Sequence, residues 1–206
     1  MLDFGFYNMD CMEGMKQFPD KFFDLAIVDP PYGIEITKSG WLRKYNSENK
    51  NWDSAPPGEE YFEQLFRVSK SQIIWGGNYF DLPPTKCFLI WDKQQPEDVS
   101  FASCEFAWTS FDSVAKTFYK SPLHTGEYRI HATQKPVDLY AWLLNKYAKP
   151  GDKILDTHVG SASSLIACHN LGFQYVGFEL DPDYFKAATD RLETAKAQCS
   201  IFDYLD

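Results

Sequence analysis

Asp29, Pro30, Pro31, Tyr32 and Gly33 follow directly on a short apolar run, "FFDLAIV". A plain turn needs one proline and a glycine. This one also fixes a carboxylate, a backbone carbonyl and an aromatic ring. Proline has no N–H and restricts the residue before it, so Asp29 and Pro30 are both held extended. Two acceptors, the Asp29 carboxylate and the Pro30 carbonyl, then point outward together. Such a pair suits an exocyclic amino group on a purine or pyrimidine. That nitrogen is a poor nucleophile because its lone pair is delocalised into the ring. Acceptors on its N–H bonds draw it towards a tetrahedral shape and free the lone pair. Tyr32 can stack on a base taken out of its duplex, and Gly33 lets the chain turn away.

A second constellation lies in "KILDTHVGSASSLIACHNLGFQYVGFELD". An apolar strand ends at Asp156. A small-residue loop, Gly160-Ser161-Ala162-Ser163, leads into a helical stretch, and the next strand ends at Glu179. Strand, loop, helix, strand and acid in that order form a nucleoside site in a doubly wound sheet. Small residues admit the ligand to the backbone, and the acid accepts hydrogen bonds from ribose hydroxyls. A dinucleotide would call for G-x-G-x-x-G around its pyrophosphate, which "DTHVGSASS" lacks. An adenosine ligand without pyrophosphate needs less glycine, and this favours S-adenosylmethionine.

These residues require elements to carry them. "FFDLAIV", "QIIWGG", "CFLIWD", "EFAWTSF", "DKILD" and "YVGFE" read as strands. "EEYFEQLFRVSK" is expected to be a helix, with Phe62, Leu65, Phe66 and Ser69 at helical spacing. "QKPVDLYAWLLNKYAKPG" is expected to start a helix at Pro136 and end it at Pro150-Gly151. "SSLIACHNLG" is a helix closed by Gly172, and "DPDYFKAATDRLETAK" is one capped by Asp181. Alternation of this kind predicts an α/β fold: a doubly wound, mostly parallel sheet with helices on both faces. Ligands bind outside the carboxyl ends of such strands, so Asp29, Asp156 and Glu179 are expected to share one crevice.

Composition excludes several classes. A chain of 206 residues, 44% hydrophobic and 17% aromatic, can bury a sizeable core and is far from the composition of disorder. Five cysteines with no C-x-x-C pair argue against a disulfide framework or a zinc site and for a reducing compartment. The start, "MLDFGFYNMD", has no basic n-region, and no apolar run is long enough to span a bilayer. A cytoplasmic protein with no membrane partner is expected.

In combination, "DPPYG", "HATQKP", "ILDTHVGSASS" and "YVGFELDPDYF" resemble the S-adenosylmethionine-dependent DNA amino-methyltransferases. With the catalytic motif before the cofactor motif, the chain is similar to their permuted beta group, and "WGGNYFDLPPTKCFLIWDK" resembles small phage and prophage versions. The resemblance covers nearly the whole chain. It implies a Rossmann-like fold, S-adenosylmethionine as cofactor, DNA as partner and no metal. It implies catalysis by Asp29, Pro30, Pro31 and Tyr32, with N6 of adenine as the target because DPPY, not SPPY, is present. For the cofactor it implies Asp10 and Cys11 at the adenine, Glu179 at the ribose, Asp156, Gly160, Ser161 and Ser163 at the methionine end, and Lys135 near its carboxylate. His158 stands where the family usually has an aromatic, most often phenylalanine. Ala162 stands where it usually has glycine or a similar small residue, and its β-carbon is expected to crowd the cofactor. Methylation of cytosine N4 or of RNA, and a non-catalytic binding protein of the same fold, stay open beside this reading. A homodimer is also allowed for.

The net charge of −9 is awkward for a DNA partner. It is uneven, however. Residues 1–35 carry seven acids and two bases, whereas residues 36–50 carry four bases and one acid. A basic loop at 36–50 with Lys38, Arg43, Lys44 and Lys50 is therefore expected at the mouth of the base pocket, with Lys116, Lys120 and Arg129 on the opposite wall. The chain reads as a single domain over 1–206, with residues 94–130 the only further material for target recognition.

Overall fold

The computed structural model describes residues 1–36, 52–96, 102–122, 129–131 and 133–202. In chain order the elements are β1 (Gly5–Asn8), α1 (Cys11–Met15), β2 (Phe23–Val28), α2 (Glu59–Val68), β3 (Ser69–Trp75), β4 (Leu89–Asp92), β5 (Cys104–Thr109), β6 (Lys116–Tyr119), α3 (Val137–Tyr147), β7 (Lys153–Asp156), α4 (Ser163–Asn170), β8 (Gln174–Glu179) and α5 (Pro182–Phe202). The eight strands form one sheet in the order β1-β8-β7-β2-β3-β5-β4-β6. All neighbours are parallel except where β5 runs against β3 and β4.

Period-two alternation in β2 sorts its side chains between the two faces. Leu25 and Ile27 join a core with Leu139, Tyr140, Leu143 and Leu144 of α3 and Ala167 and Cys168 of α4. Ala26 and Val28 join the opposite core, with Met15 of α1 and Tyr61, Phe62, Leu65 and Val68 of α2. Helices thus cover both faces, as the pattern predicts. Leu65 is fully buried, and its truncation to alanine is expected to cost about 2–5 kcal/mol.

The structure differs from the sequence reading at several boundaries. The helix read over 59–70 ends at Val68, because Ser69 is extended at φ −120°, ψ 147° and Ser69-Lys70 open β3. Pro136 is the N-cap of α3, at φ −65°, ψ 146°, and the helix starts one residue later. The short elements β1, α1 and β6 were not anticipated. Two strands of the sheet, β5 and β6, fall inside the 94–130 segment read as extra material. Asp181 caps α5 as expected, accepting from the Asp183 and Tyr184 N–H groups. No helix among the described residues is long and apolar enough to cross a membrane.

Candidate active site

Strands β2, β7 and β8 run side by side and in parallel, so their carboxyl ends deliver Asp29, Asp156 and Glu179 to one edge of the sheet. Fields between these groups confirm their proximity. Asp29 and Glu179 both contribute to raising the Asp156 carboxyl, which burial above all pushes up to about 7.

Asp29 is held by side chains. Its Oδ1 accepts from the Tyr32 hydroxyl at 2.6 Å, and its Oδ2 accepts from Lys135 Nζ at 2.5 Å. Lys135 also lies 2.8 Å from Glu105 Oε2, while Glu105 Oε1 lies 2.8 Å from Lys93 Nζ. The side chain of Lys135 is only 3% exposed. Burial disfavours its charge, but Asp29 and Glu105 together raise its pKa. Burial likewise works against ionised Glu105, yet Lys135 and Lys93 hold it at about 2. Asp29 is raised by burial, against the pull of Lys135.

Tyr32 has a built seat. Its ring stacks on Tyr79 with centroids 4.9 Å apart and planes 13° from parallel, and Phe80 meets it edge-on. At Gly76, φ is +70° and a β-carbon would stand 2.1 Å from Tyr32 Cε1. Only glycine fits, both for the backbone and for the ring. Beyond the loop, the buried Asp53 accepts from the Gly33 and Ile36 N–H groups at 2.8 and 2.9 Å, which pins the chain as it leaves Tyr32.

Backbone N–H groups tie down the acids on the other side. Glu179 accepts from Gly160 N and Asp181 N, both at 2.9 Å. Asp156 accepts from His158 N at 3.0 Å and from the Ser164 hydroxyl. The loop can lie this close because Gly177 of β8 has no side chain: a β-carbon there would sit 2.7 Å from Val159. Asp10 caps α1 by accepting from Met12 N at 2.7 Å. Cys11 follows, its thiol pushed up to about 12 by burial and by the charges of Asp10 and Glu179. Among the described residues no group of His, Cys, Asp and Glu has the makings of a metal site.

A family model described as DNA methylase matches residues 74–190, more than half of the 206 residues. The chain belongs to the DNA methylase family. Among its relatives is the type II methyltransferase M.HinfI of Haemophilus influenzae, 26% identical over 91% of this chain and 67% of that protein. The fold is shared with the M1.HpyAVI–SAM complex, at 21% identity and a TM-score of 0.57 over 90% of this chain and 98% of that one. It is also shared with the cytosine-N4-specific PvuII DNA methyltransferase, at 14% identity and a TM-score of 0.64 over 96% and 91%.

Set on this methylase fold, the residues singled out in the sequence divide clearly. Asp10, Cys11, Asp29, Pro30, Pro31, Tyr32, Asp156, His158, Gly160 and Glu179 gather along the carboxyl ends of the strands. Lys135, expected beside the cofactor carboxylate, directs its ammonium at Asp29 and Glu105. Ser161 and Ser163 are buried, and Arg191 donates to the Ser161 carbonyl and the Ser163 hydroxyl, so they bind the loop to α5. The methyl group of Ala162 packs with Val159, Leu165, Ile166, Ala188 and Leu192. Its β-carbon therefore has a place in the core between α4 and α5. His158 meets Tyr61 edge-on and contacts Thr157 Oγ1 at 2.9 Å, and burial holds it neutral at about 4. Lys120 follows β6 at the crevice end and pairs with Asp138. Lys116 opens the same strand at its far end, so the two are not brought together. Lys38, Arg43, Lys44 and Lys50 lie outside the described residues.

Sequence reasoning missed Glu105, Lys93 and Asp53. It also passed over His131, which packs between Trp52 and Tyr184 and is held neutral at about 4, by burial first and by Lys135 second. None of these carries a local signal. Each matters through a partner more than ten positions away.

Proposed function

We propose that the chain transfers a methyl group from S-adenosylmethionine to the N6 amino group of adenine in DNA, as a member of the permuted beta group. The observation that carries this is the joined pair of Asp29 carboxylate and Tyr32 phenol at the tip of β2, in one crevice with Glu179 at the tip of β8. The charge of the crevice fits the cofactor. Asp10, Asp29 and Glu179 outnumber Lys135 there, and an excess of acids suits a sulfonium cation. The strand order supports the permuted assignment. The catalytic strand β2 precedes β7 and β8 in the chain, while β1 closes the sheet against β8.

S-adenosylmethionine supplies a methyl carbon made electrophilic by the sulfonium. The chain's residues do the rest. Glu179 would take the ribose hydroxyls, Asp10 and Cys11 would flank the adenine, and the turn at Gly160 would receive the methionine end. The Asp29 carboxylate and the Pro30 carbonyl accept the two N–H bonds of the target amine and localise its lone pair. Tyr32 stacks on the base. As the methyl carbon leaves the sulfur for the amine, giving neutral S-adenosylhomocysteine, Asp29 would stabilise the positive charge on the nitrogen until one proton passes to solvent.

Aspartate at position 29 supports adenine. The shared fold with a cytosine-N4-specific enzyme keeps cytosine as the second reading. Mass analysis of nucleosides after incubating DNA with the protein and labelled S-adenosylmethionine decides. Label in N6-methyladenine is the expected result, and label in N4-methylcytosine selects the second reading. Label on RNA alone, or none despite measurable cofactor binding, removes both. For DNA contacts the basic residues Lys38, Arg43 and Lys44, which lie outside the described residues, are the candidates. Triple replacement of Lys38, Arg43 and Lys44 by alanine should flatten the salt dependence of DNA binding by ~0.9 per lost phosphate contact, with cofactor affinity unchanged.

A further inference from the structure

The crevice contains a row of alternating charge, Asp29, Lys135, Glu105 and Lys93, in which Lys135 is buried and the others are partly buried. Contacts along it are 2.5, 2.8 and 2.8 Å. It is fenced by aromatic rings, with Lys135 Nζ 5.4 Å from the Trp75 ring centre and Lys93 Nζ 5.3 Å from that of Trp91. Withdrawing charges from water is costly unless each has a partner, and each member of this row has one.

Both oxygens of Asp29 are taken, Oδ1 by Tyr32 and Oδ2 by Lys135. An incoming amine needs one of them. The two partners differ in how firmly they are held. Lys135 is anchored from behind by Glu105, and its side chain is 3% exposed. Tyr32 has its ring seated on Tyr79 and against Gly76, but its O–H can turn about the C–O bond and release Oδ1, the hydroxyl's other contact being Lys135 at 3.3 Å. The hydroxyl is the partner that yields. We propose that Lys135, anchored by Glu105, is a positioning residue for methyl transfer: it keeps hold of Oδ2 of Asp29, so that Oδ1 is the oxygen presented to the target amino group. This rests on the methyl-transfer reading above and adds the residues that aim its acceptor.

The electrostatics agree in sign. The groups facing Asp29 are Tyr32 on its own loop, Lys135 before α3, Tyr140 on α3, Glu105 on β5, Asp156 on β7 and Tyr61 on α2. Lys93 stands behind Glu105 and neutral His131 beside Lys135. Lys135 is the one cation on this list in direct contact with Asp29. It favours the ionised carboxylate, and Glu105 opposes it.

Carbon-13 NMR titration of the aspartate carboxyls tests this, with Asp29 assigned by its loss in Asp29→Asn. Lys135→Met should raise the Asp29 midpoint, Glu105→Gln should lower it, and the double variant should fall above wild type but below Lys135→Met. Single-turnover methyl transfer should slow on the order of 100-fold in Lys135→Met and less in Glu105→Gln, while the calorimetric affinity for S-adenosylmethionine stays within threefold. If Lys135→Met does not fold, the downward shift in Glu105→Gln still decides. An Asp29 midpoint that is the same in every variant overturns the proposal. So does cofactor affinity falling in step with rate, which would return Lys135 to the cofactor site. Opposite midpoint shifts in a protein that labels no nucleic acid would leave the positioning intact and remove the methyl-transfer reading.

Discussion

Two loops meet in the crevice, and they are held in different ways. The loop after β7 is fixed mainly by backbone donors: Gly160 and Asp181 N–H on Glu179, and His158 N–H on Asp156. The loop after β2 is fixed by side chains, with Tyr32 and Lys135 on Asp29. Backbone donors stay in place when a ligand arrives. The Tyr32 O–H can turn about its C–O bond and give up its hydrogen bond while the ring keeps its seat on Tyr79. On the methyl-transfer reading proposed above, the first loop is the cofactor's receptor and the second contains a hydrogen bond that can be exchanged for one to substrate. The contrast teaches where rigidity is built in: in backbone donors on one side of the crevice, and in side chains on the other.

The sharpest way to break the contrast is Asp29→Ala. Methyl transfer should fall by at least ~100-fold, with cofactor affinity unchanged within a few-fold, measured by single-turnover labelling and calorimetry. Comparable loss of both would mean that the two loops form one site. Next in size is Glu179→Ala. Loss of charge-assisted hydrogen bonds should weaken cofactor binding by ~1.5–3 kcal/mol. An unchanged calorimetric constant would displace the ribose from β8.

A smaller effect appears in the pH dependence of stability. The folded pKa of Asp156, about 7, lies above its ordinary value of 3.8. The folded state therefore holds a proton that the unfolded chain has already lost. Its contribution to stability is present below pH 4 and disappears as pH rises to 7. Asparagine cannot ionise, so Asp156→Asn should gain on wild type across that window by at most ~1.4 kcal/mol per pH unit, then level off. Denaturant midpoints at pH 5, 6, 7 and 8 would show this, and a flat difference would refute it. The smallest effect is that of Ala162→Gly. Alanine at φ +63° is strained by ~1 kcal/mol, and the methyl lost from the core is worth about as much. Urea unfolding should therefore move by less than ~1 kcal/mol, and a larger drop would mean that the α4–α5 packing depends on that methyl.

What was legible in the sequence follows the same division. Apolar runs ending in an acid marked β2, β7 and β8, so Asp29, Asp156 and Glu179 could be placed together before any coordinates. Glycine-rich and proline-rich punctuation marked the loops. Strand β1 was missed because it is a four-residue edge strand without a buried residue. Strand β6, "KTFY", was missed because it is nearly all exposed. Glu105 and Lys93 were missed for another reason. An ion partner is defined by the sheet order that brings β5 and β4 beside the β3 edge, and no local pattern encodes that. Lys135 was found through "QKP", but its contacts with Asp29 and Glu105 were not anticipated.

The sheet is closed by residues far apart in the chain. Gly5 of β1 lies opposite Val176 of β8, about 170 positions later. At a synthesis rate of ~5–20 residues per second, β1 is made roughly 10–30 seconds before β8, its neighbour among the described strands, exists. Through that interval Phe6 and Tyr7 have no strand to pair with, and the Asp10 and Cys11 segment is without its Glu179. The wall of the crevice with Asp10, Cys11 and Glu179 is thus completed late in translation, ahead only of α5, and on the reading proposed above a nascent chain stalled before β8 should bind no S-adenosylmethionine.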